Sequence, residues 1–368
     1  MDNLTGKYAR LALAGVAIAL VAVLMSGCSS TDSPVAKTRV PESRVIKIGV
    51  IGPTSGPAAI LGTSFQKTVE LAKEDLRGTK YTYELIVEDS GATPEQAERA
   101  IKKLVEIDKV SAIVGGISKT GQIVQPYATA ARIPQICVCS VSSIGDGEYN
   151  FTNIPLPEDE AVRWVEEARK RGIKSIALLT QDYPSIDGHV KALKEEAARA
   201  GIRVVYENRF AESTTDFRSA ISEAQAASPD VYFVEAYTTP LDILGQQLKD
   251  VGVDNIASIV GPSLSAKPEL FEGAWYTDSN IVDPAFIARF ERRYPSQPFV
   301  THMMPYAYAS FNLLVQGFES GKDVAAYVRG VTEYESPAGK LTRQRGTGNF
   351  RSTPTVWVIK DGKPKLLY

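Results

Sequence analysis

Residues 111–121 read SAIVGGISKTG, an apolar run that breaks into two glycines and then presents Ser118, Lys119 and Thr120. A Lys-Thr pair behind a glycine-rich turn suggests phosphate binding, in which successive backbone N–H groups wrap the phosphates. That chemistry needs glycine directly before the lysine and a second glycine five positions earlier. Ser118 and Ile113 hold those places, so the stretch is not a nucleotide loop. Nucleophilic catalysis would draw on Ser118 or Ser142. The chain has no G-x-S-x-G elbow, and its two histidines, His189 and His302, are near neither serine in sequence, so folding would have to bring them together. Two histidines without paired spacing offer no metal site, and no motif asks for a cofactor. Cys137 and Cys139 lie two apart in ICVCS and on a strand would point the same way. A metal or redox pair is open to them, and two buried strand thiols are the plainer account.

The N-terminus sets the compartment. Lys7 and Arg10 precede a run from Leu11 to Met25 that is apolar or small throughout, and Ser26-Gly27-Cys28 follows. A charged stretch, an apolar stretch and small residues describe a secretory signal. The run is shorter than the roughly 20 apolar residues that span a bilayer. LMSGC also resembles the lipobox of bacterial lipoproteins, with Met25 where leucine is usual. The resemblance implies a signal peptide over residues 1–27, a lipid on Cys28, and an exported chain tethered to the cell envelope, on its periplasmic or extracellular face. Residues 28–44, rich in Ser, Thr, Pro and charge, read as a flexible tether.

About 340 residues remain after the signal, enough for two domains of roughly 100–200 residues each. A net charge of −2 gives no electrostatic footprint for nucleic acid. Short apolar strands alternate with polar-faced helices. IKIGVIG, YELIVED, SAIVGG and PQICVCS form one series; SIALLTQD, RVVYENRF, PDVYFVEAY and NIASIVGP form a second. Thr93-Pro94-Glu95-Gln96 predicts a helix start with a capping box. Strands alternating with helices make this an α/β chain with parallel sheets covered on both faces, and two series make two lobes.

Ligands of such sheets bind beyond the carboxyl ends of the strands. The loops there are GPTSGPAAILG, GGISKTG, CSVSSIGD, TQDYPSIDG, EAYTTP and GPSLSA, all rich in Gly, Ser, Thr and Pro. Taken singly, each is equally well a turn. Together, at corresponding ends of two sheets, they outline a cleft between lobes, a preferred small-molecule site.

The order IGVIGPTSGPAAILG, VEDSGATPEQAERAIKKLV, SAIVGGIS, CSVSS, IALLTQD, with an aromatic helix around Tyr306-Ala307-Tyr308 and the ending VWVIKDGKPKLL, resembles the solute-binding proteins of ABC importers in the leucine/isoleucine/valine-binding group. It covers roughly residues 45–368. The resemblance implies a two-lobe periplasmic-binding-protein fold of type I, in which the chain crosses between lobes three times. The crossings are expected near Asn153, Asp278 and Pro337, giving one lobe of residues 45–153 plus 279–336 and another of 154–278 plus 337–368. It implies a monomer that is not an enzyme, captures a small carboxylate by hinge closure, and has ABC permease subunits as partners.

By the same resemblance, the opening stretch holds the ligand carboxylate with hydroxyls and backbone amides at a helix start, where the helix end is electropositive. Ser118 or Thr120 would be the side-chain donor, with Lys119 a rival partner or a solvated lysine. Ser140, Val141 and Ser142 form a second clamp, Tyr237 closes from the far lobe, and Leu61 of the first loop joins the site. Two positions depart from the family pattern. The acid that pairs with a ligand ammonium is replaced by Ser263, for which Glu235 or Asp187 could substitute. Tyr183 sits two residues ahead of Ser185-Ile186, where Tyr-Gly is usual. A desolvated ammonium without a charged partner costs several kcal/mol, so a carboxylate is a better expectation than an amino acid. Alternatives are a lipoprotein of this fold that has lost its ligand and acts through protein contacts or as a sensor, favoured by a filled cleft, and a serine hydrolase.

Overall fold

The computed structural model describes residues 44–368, apart from Pro57 and Ala92. The expected signal peptide, Cys28 and the tether up to residue 43 lie outside them. Among the described residues no helix is long and apolar enough to cross a membrane.

Strands Val45–Gly52 (β1), Thr82–Asp89 (β2), Ala112–Gly116 (β3), Gln135–Val138 (β4) and Asn150–Thr152 (β5) form a parallel sheet in the order β2-β1-β3-β4-β5. β3 and β4 are buried at every position, which is why they read as unbroken apolar runs rather than alternating ones. Helices α1 (Ala59–Glu74), α2 (Pro94–Lys102, continued by a π-helical turn to Ile107) and α3 (Ser118–Ala131) connect them. The expected capping box closes the start of α2. Gln96 N–H donates to Thr93 Oγ1 at 3.3 Å, and Thr93 N–H donates to Gln96 Oε1 at 3.1 Å.

After α4 (Pro157–Lys170) the pattern repeats in strands Ser175–Gln181 (β6), Arg203–Phe210 (β7), Val231–Glu235 (β8), Ile256–Ile259 (β9) and Trp275–Ser279 (β10), with helices α5 (Pro184–Arg199), α6 (Arg218–Ala226) and α7 (Thr238–Asp250) between them. The chain then returns to the first sheet through α8 (Pro284–Arg293), α9 (Met304–Glu319) and α10 (Val324–Gly330). A small antiparallel sheet of Glu333–Ser336 (β11), Gly339–Arg343 (β12) and Phe350–Arg351 (β13) follows. Pro354–Lys360 (β14) and Lys363–Leu366 (β15) complete the second sheet, in the order β15-β14-β10-β9-β8-β6-β7.

Two features differ from the sequence expectation. The second sheet is parallel from β7 to β10 but antiparallel at β14 and β15, because a short hairpin at the end of the chain needs no crossover helix. Pro337 sits in the β11–β12 turn rather than at a crossing. Thr152 N–H donates to Gly348 O at 3.0 Å and Thr152 Oγ1 to Asn349 Oδ1 at 2.7 Å, so this segment stays with the edge of the first sheet until the chain reaches Pro354.

Beneath the sheets the core is aromatic. Trp164 of α4 stacks on Trp275 at 5.1 Å and meets Phe233 edge-on at 5.8 Å, all three buried. Cys137 and Cys139, for which two free thiols were the plainer expectation, are joined as a disulfide. The pair packs on α3, where a Cβ at Gly121 would come within 2.5 Å of one sulfur and 2.6 Å of the other, so only glycine fits.

Candidate ligand-binding cleft

In each sheet the order of the five parallel strands is second, first, third, fourth, fifth. Connections leaving the first and third strands therefore run to opposite faces, and a crevice opens at their carboxyl ends. The two crevices face one another across a cavity of about 50 Å³.

On the first lobe the loop after β1 is pinned by Asp89. Its Oδ1 accepts from Thr54 N–H at 2.7 Å, Ser55 N–H at 3.2 Å and Gly91 N–H at 2.8 Å. Gly62 lets α1 pack on that loop, since a Cβ there would overlap Pro53 O at 1.9 Å. Ala58 and Leu61 thereby reach the cavity. After β3 the backbone turns at Ile117, which takes φ 59° and ψ 144°, a region that a β-branched residue occupies only under strain. The turn makes Ser118 the first residue of α3, whose start no side chain caps. Ser118 lines the cavity and its Oγ accepts from Ser140 N–H at 3.1 Å, joining the two expected clamps.

Thr120 points elsewhere: its Oγ1 bonds to Ser90 Oγ at 2.9 Å and it does not line the cavity. Lys119 is half-buried and likewise off the cavity wall. Val141 and Ser142 border an adjoining groove shared with Pro157 and Lys191, and Ser142 is exposed.

The second lobe presents Tyr183 and Tyr237 as an edge-to-face pair, ring centres 4.9 Å apart, both lining the cavity. Tyr237 is held twice, by its N–H donating to Gln181 Oε1 at 2.8 Å and by its hydroxyl against Ser185 Oγ at 2.8 Å. Burial, then the charge of Glu212, raises the Tyr183 phenol; burial, then the charge of Glu235, raises that of Tyr237. Both hydroxyls stay neutral.

Neither of the two carboxylates considered for an ammonium reaches the cavity, and Ser263, where the family's acid is missing, does not line it either. Glu235 is 1 % exposed and faces His189 Nδ1 at 2.6 Å. Asp187 pairs with Arg209 at 2.7 Å on the surface. Ser263 Oγ donates to Val260 O at 2.7 Å within its own turn, and Leu264 lines the cavity instead.

Sequence reasoning marked out the loops that hold Ala58, Ile117, Gln181, Ser185 and Leu264 without naming these residues as contacts, and it missed Val138, Ile154, Glu212, His302 and Met303. Ile154 lies where the chain leaves β5, at a crossing, and His302-Met303 lie in the segment between α8 and α9, so neither comes from a strand-end loop. Glu212, just past β7, carried no motif. Among the described residues neither histidine is hydrogen-bonded to Ser118, Ser140 or Ser142; His189 engages Glu160 and Glu235, and His302 faces Asp278. A serine nucleophile therefore has no base. The cleft can bind a small molecule with an apolar body, between Leu61, Ile117, Val138, Leu264 and the tyrosines, and an acidic group at the start of α3.

The periplasmic binding protein family matches residues 45–363. Leu/Ile/Val-binding protein homolog 8 of Brucella abortus (strain 2308) is 25 % identical over 88 % of this chain and 90 % of its own length. Among solved structures, a solute-binding protein of an ABC transporter from R. palustris, in complex with 4-hydroxybenzoate, is similar at TM-score 0.78, with 23 % identity over 88 % of this chain and 96 % of that one. The leucine-binding protein LivK of Thermotoga maritima is similar at TM-score 0.79, with 19 % identity over 88 % and 98 %. These relatives are solute-binding proteins, not enzymes, and the match over nearly all the described residues makes this exported chain a member of the periplasmic binding protein family.

Proposed function

We propose that this chain captures a small carboxylate without a free α-ammonium group, an aliphatic or aromatic acid, and delivers it to the permease of an ABC importer while anchored through Cys28. The observation that carries the ligand class is the disposition of charge. Ser118 places a hydroxyl and an uncapped helix start on the cavity wall, where an anion is favoured by orphan N–H groups and the helix dipole. Glu235, Asp187 and Ser263 are all engaged elsewhere, and Glu212, the one acid among the described lining residues, is solvent-exposed, so an ammonium taken into a closed cleft lacks a desolvated partner, at a cost of several kcal/mol. Likeness of fold does not choose, since it extends both to a protein holding 4-hydroxybenzoate and to a leucine-binding protein.

The lobes of this proposal are residues 45–153 with about 279–351, and 154–278 with about 352–368, the last crossing moved from Pro337 to the approach to β14. Capture works by hinge closure. A cavity of about 50 Å³ is well below the about 150 Å³ that holds benzene in an engineered apolar site, so a ring-sized ligand requires the lobes to part and close again. Contacts to Tyr183 and Tyr237, gained on closing, shift the population toward the closed form. A thermal-shift screen of amino acids, aromatic acids and short amides finds the ligand, and small-angle scattering with and without it tests closure. An unchanged radius on saturation overturns the mechanism.

The same narrow cavity favours a second reading, a protein that has kept the fold but lost the ligand and acts as a sensor or through protein contacts. A screen in which no acid or amino acid raises the melting temperature supports it.

A further inference from the structure

Cys139 is bonded to Cys137, two residues before it, and Ser140 follows directly. A disulfide stabilises a fold chiefly by restraining the unfolded chain, an effect that grows with the loop it closes, and a separation of two residues is at the small end of that range. The bond therefore does little for the fold as a whole, and its effects are local. The two Cα atoms lie 5.2 Å apart, where an extended strand would set them about 6.6 Å apart. The bond thus draws the chain in, and the pairing of β4 with β3 stops at Val138. Between the two cysteines Val138 lines the cavity, and after them Ser140 lines both the cavity and the groove beside it. Ser140 N–H donates to Ser118 Oγ at 3.1 Å, so the position of this segment also decides whether the two clamps are joined.

We propose that Cys137 and Cys139 are a positioning pair for the cleft: their disulfide sets Val138 and Ser140 on the wall, so that ligand capture depends on the bond being formed. An exported chain keeps such a bond, because its compartment is oxidising. The sulfurs have no spare room. A Cβ at Gly121 of α3 would come within 2.5 and 2.6 Å of them, one at Gly115 of β3 within 3.5 Å of Cys137 Sγ, and Ile144 packs on the same pair. A dithiol reductant breaks the S–S bond by giving up two electrons and two protons, which leaves two thiols on the protein and closes the reductant to its own disulfide. Two unbonded thiols need more space than the bond did. α3 is fixed against the first sheet, at its start by Thr120 Oγ1 against Ser90 Oγ at 2.9 Å and further along by the buried Val124 and Ala128. β4 is paired on both sides as far as Cys137. What yields is the segment after Cys139, where Ser142 and Ser143 are exposed and the ties to α3 are the Ser140 amide and Gln125 on the Ser143 and Ile144 carbonyls. Its movement carries the Ser140 amide away from Ser118. The proposal rests on this cleft being the ligand site and not on the ligand's chemical class.

The test compares the full mature protein before and after reduction with dithiothreitol, with thiols at Cys137 and Cys139 counted by mass after alkylation, and with a Cys137→Ala/Cys139→Ala variant beside it. Amide hydrogen exchange over residues 139–142 should speed up at least about tenfold on reduction, as the Ser140 N–H loses its acceptor. Affinity for whichever of benzoate, 4-methylpentanoate and leucine binds tightest should fall about three- to tenfold. The melting temperature should move by less than about 4 °C, and reoxidation should restore both readouts. The double variant should match the reduced protein and ignore the reductant; it serves if the bond resists reduction, and the reduced wild type serves if the variant does not fold. Free thiols at both positions before any reductant is added overturn the proposal. So does unchanged affinity after reduction, which leaves ligand capture standing, and so does a loss of affinity accompanied by a fall in melting temperature of more than about 10 °C, which would make the bond a staple of the fold. Faster exchange in a protein that binds none of the three ligands overturns capture and leaves the positioning of the clamp standing; unchanged exchange with no binding overturns both.

Discussion

Nδ1 of His189 lies 2.6 Å from Oε1 of Glu235, and its Nε2 lies 3.0 Å from Oε2 of Glu160, with all three side chains almost completely buried. Three elements, α4, α5 and β8, are thereby joined under the cleft. Burial alone would lower the imidazole, but the charges of Glu235 and Glu160 outweigh it and hold His189 up at about 10. Burial raises Glu235 in turn, with His189 opposing.

Both groups bind protons more tightly in the folded chain than in the unfolded one, so their contributions share a sign. Stabilisation from His189 is complete below its unfolded value of about 6.5 and is lost as pH rises through about 10; that from Glu235 begins to fall above 4.5. The melting temperature should therefore decline from pH 6.5 to 10. Glu235→Gln should flatten that decline and cost about 1–3 kcal/mol of stability at pH 6.5, with ligand affinity unchanged. Thermal melts across the pH range, paired with a titration at pH 7, check this; a variant that loses affinity but not stability would place Glu235 in the site after all.

Ser118 and Lys119 are neighbours with opposite expected behaviour. Ser118 lines the cavity and accepts from Ser140 N–H, whereas Lys119 does neither. Ser118→Ala removes a hydroxyl next to the ligand acid and leaves the Ser140 amide short of its partner, so affinity should fall by about 1–3 kcal/mol. Lys119→Ala should change it by less than about 0.5 kcal/mol. Calorimetry on the two variants decides, and the reverse ranking would mean that the lysine carries the carboxylate.

Much of this arrangement was legible because the signals were local. Thr93 and Gln96 sit at the spacing of a capping box, and the buried β3 and β4 show as apolar runs ending in glycine or serine. Leu61, Ser118, Ser140, Tyr183 and Tyr237 were reachable from strand-end loops, and all line the cavity. What stayed hidden depends on contacts distant in sequence. Glu235 reads as a loop carboxylate until His189, 46 positions earlier, is placed against it. The loss of Pro337 as a crossing depends on Thr152 binding residues 348 and 349.

Ile117 provides a test of strain. Its φ of 59° and ψ of 144° lie in backbone space that is nearly glycine's alone, at a cost of about 1–3 kcal/mol. Ile117→Gly relieves that strain but adds about 0.5–1 kcal/mol of chain entropy and strips an apolar side chain from the cavity wall. Stability should stay within about 1 kcal/mol of wild type, while affinity falls at least fivefold as the start of α3 loosens. Denaturant unfolding and titration on one preparation separate the two. Unchanged affinity would show that the turn at Ile117 does not aim the clamp.

Glu212 is the carboxylate that most directly challenges a ligand without an ammonium. It lines the cavity, is exposed, and among the described residues has no cationic partner. If it paired with an ammonium, leucine would be restored as a ligand by a residue that the family pattern does not use. Magnitudes argue against this. An ion pair formed at the solvent edge contributes about 0–1 kcal/mol, whereas taking the ammonium out of water costs several. Leucine should therefore bind at least about tenfold more weakly than 4-methylpentanoate, its deaminated analogue. Glu212→Gln should change the leucine affinity by less than about fivefold and, by removing a negative charge beside Tyr183, leave acid binding equal or slightly tighter. Titration of both ligands into wild type and variant decides: tight leucine binding that disappears with Glu212 would assign this cleft an amino acid, with the acid moved from position 263 to the loop after β7.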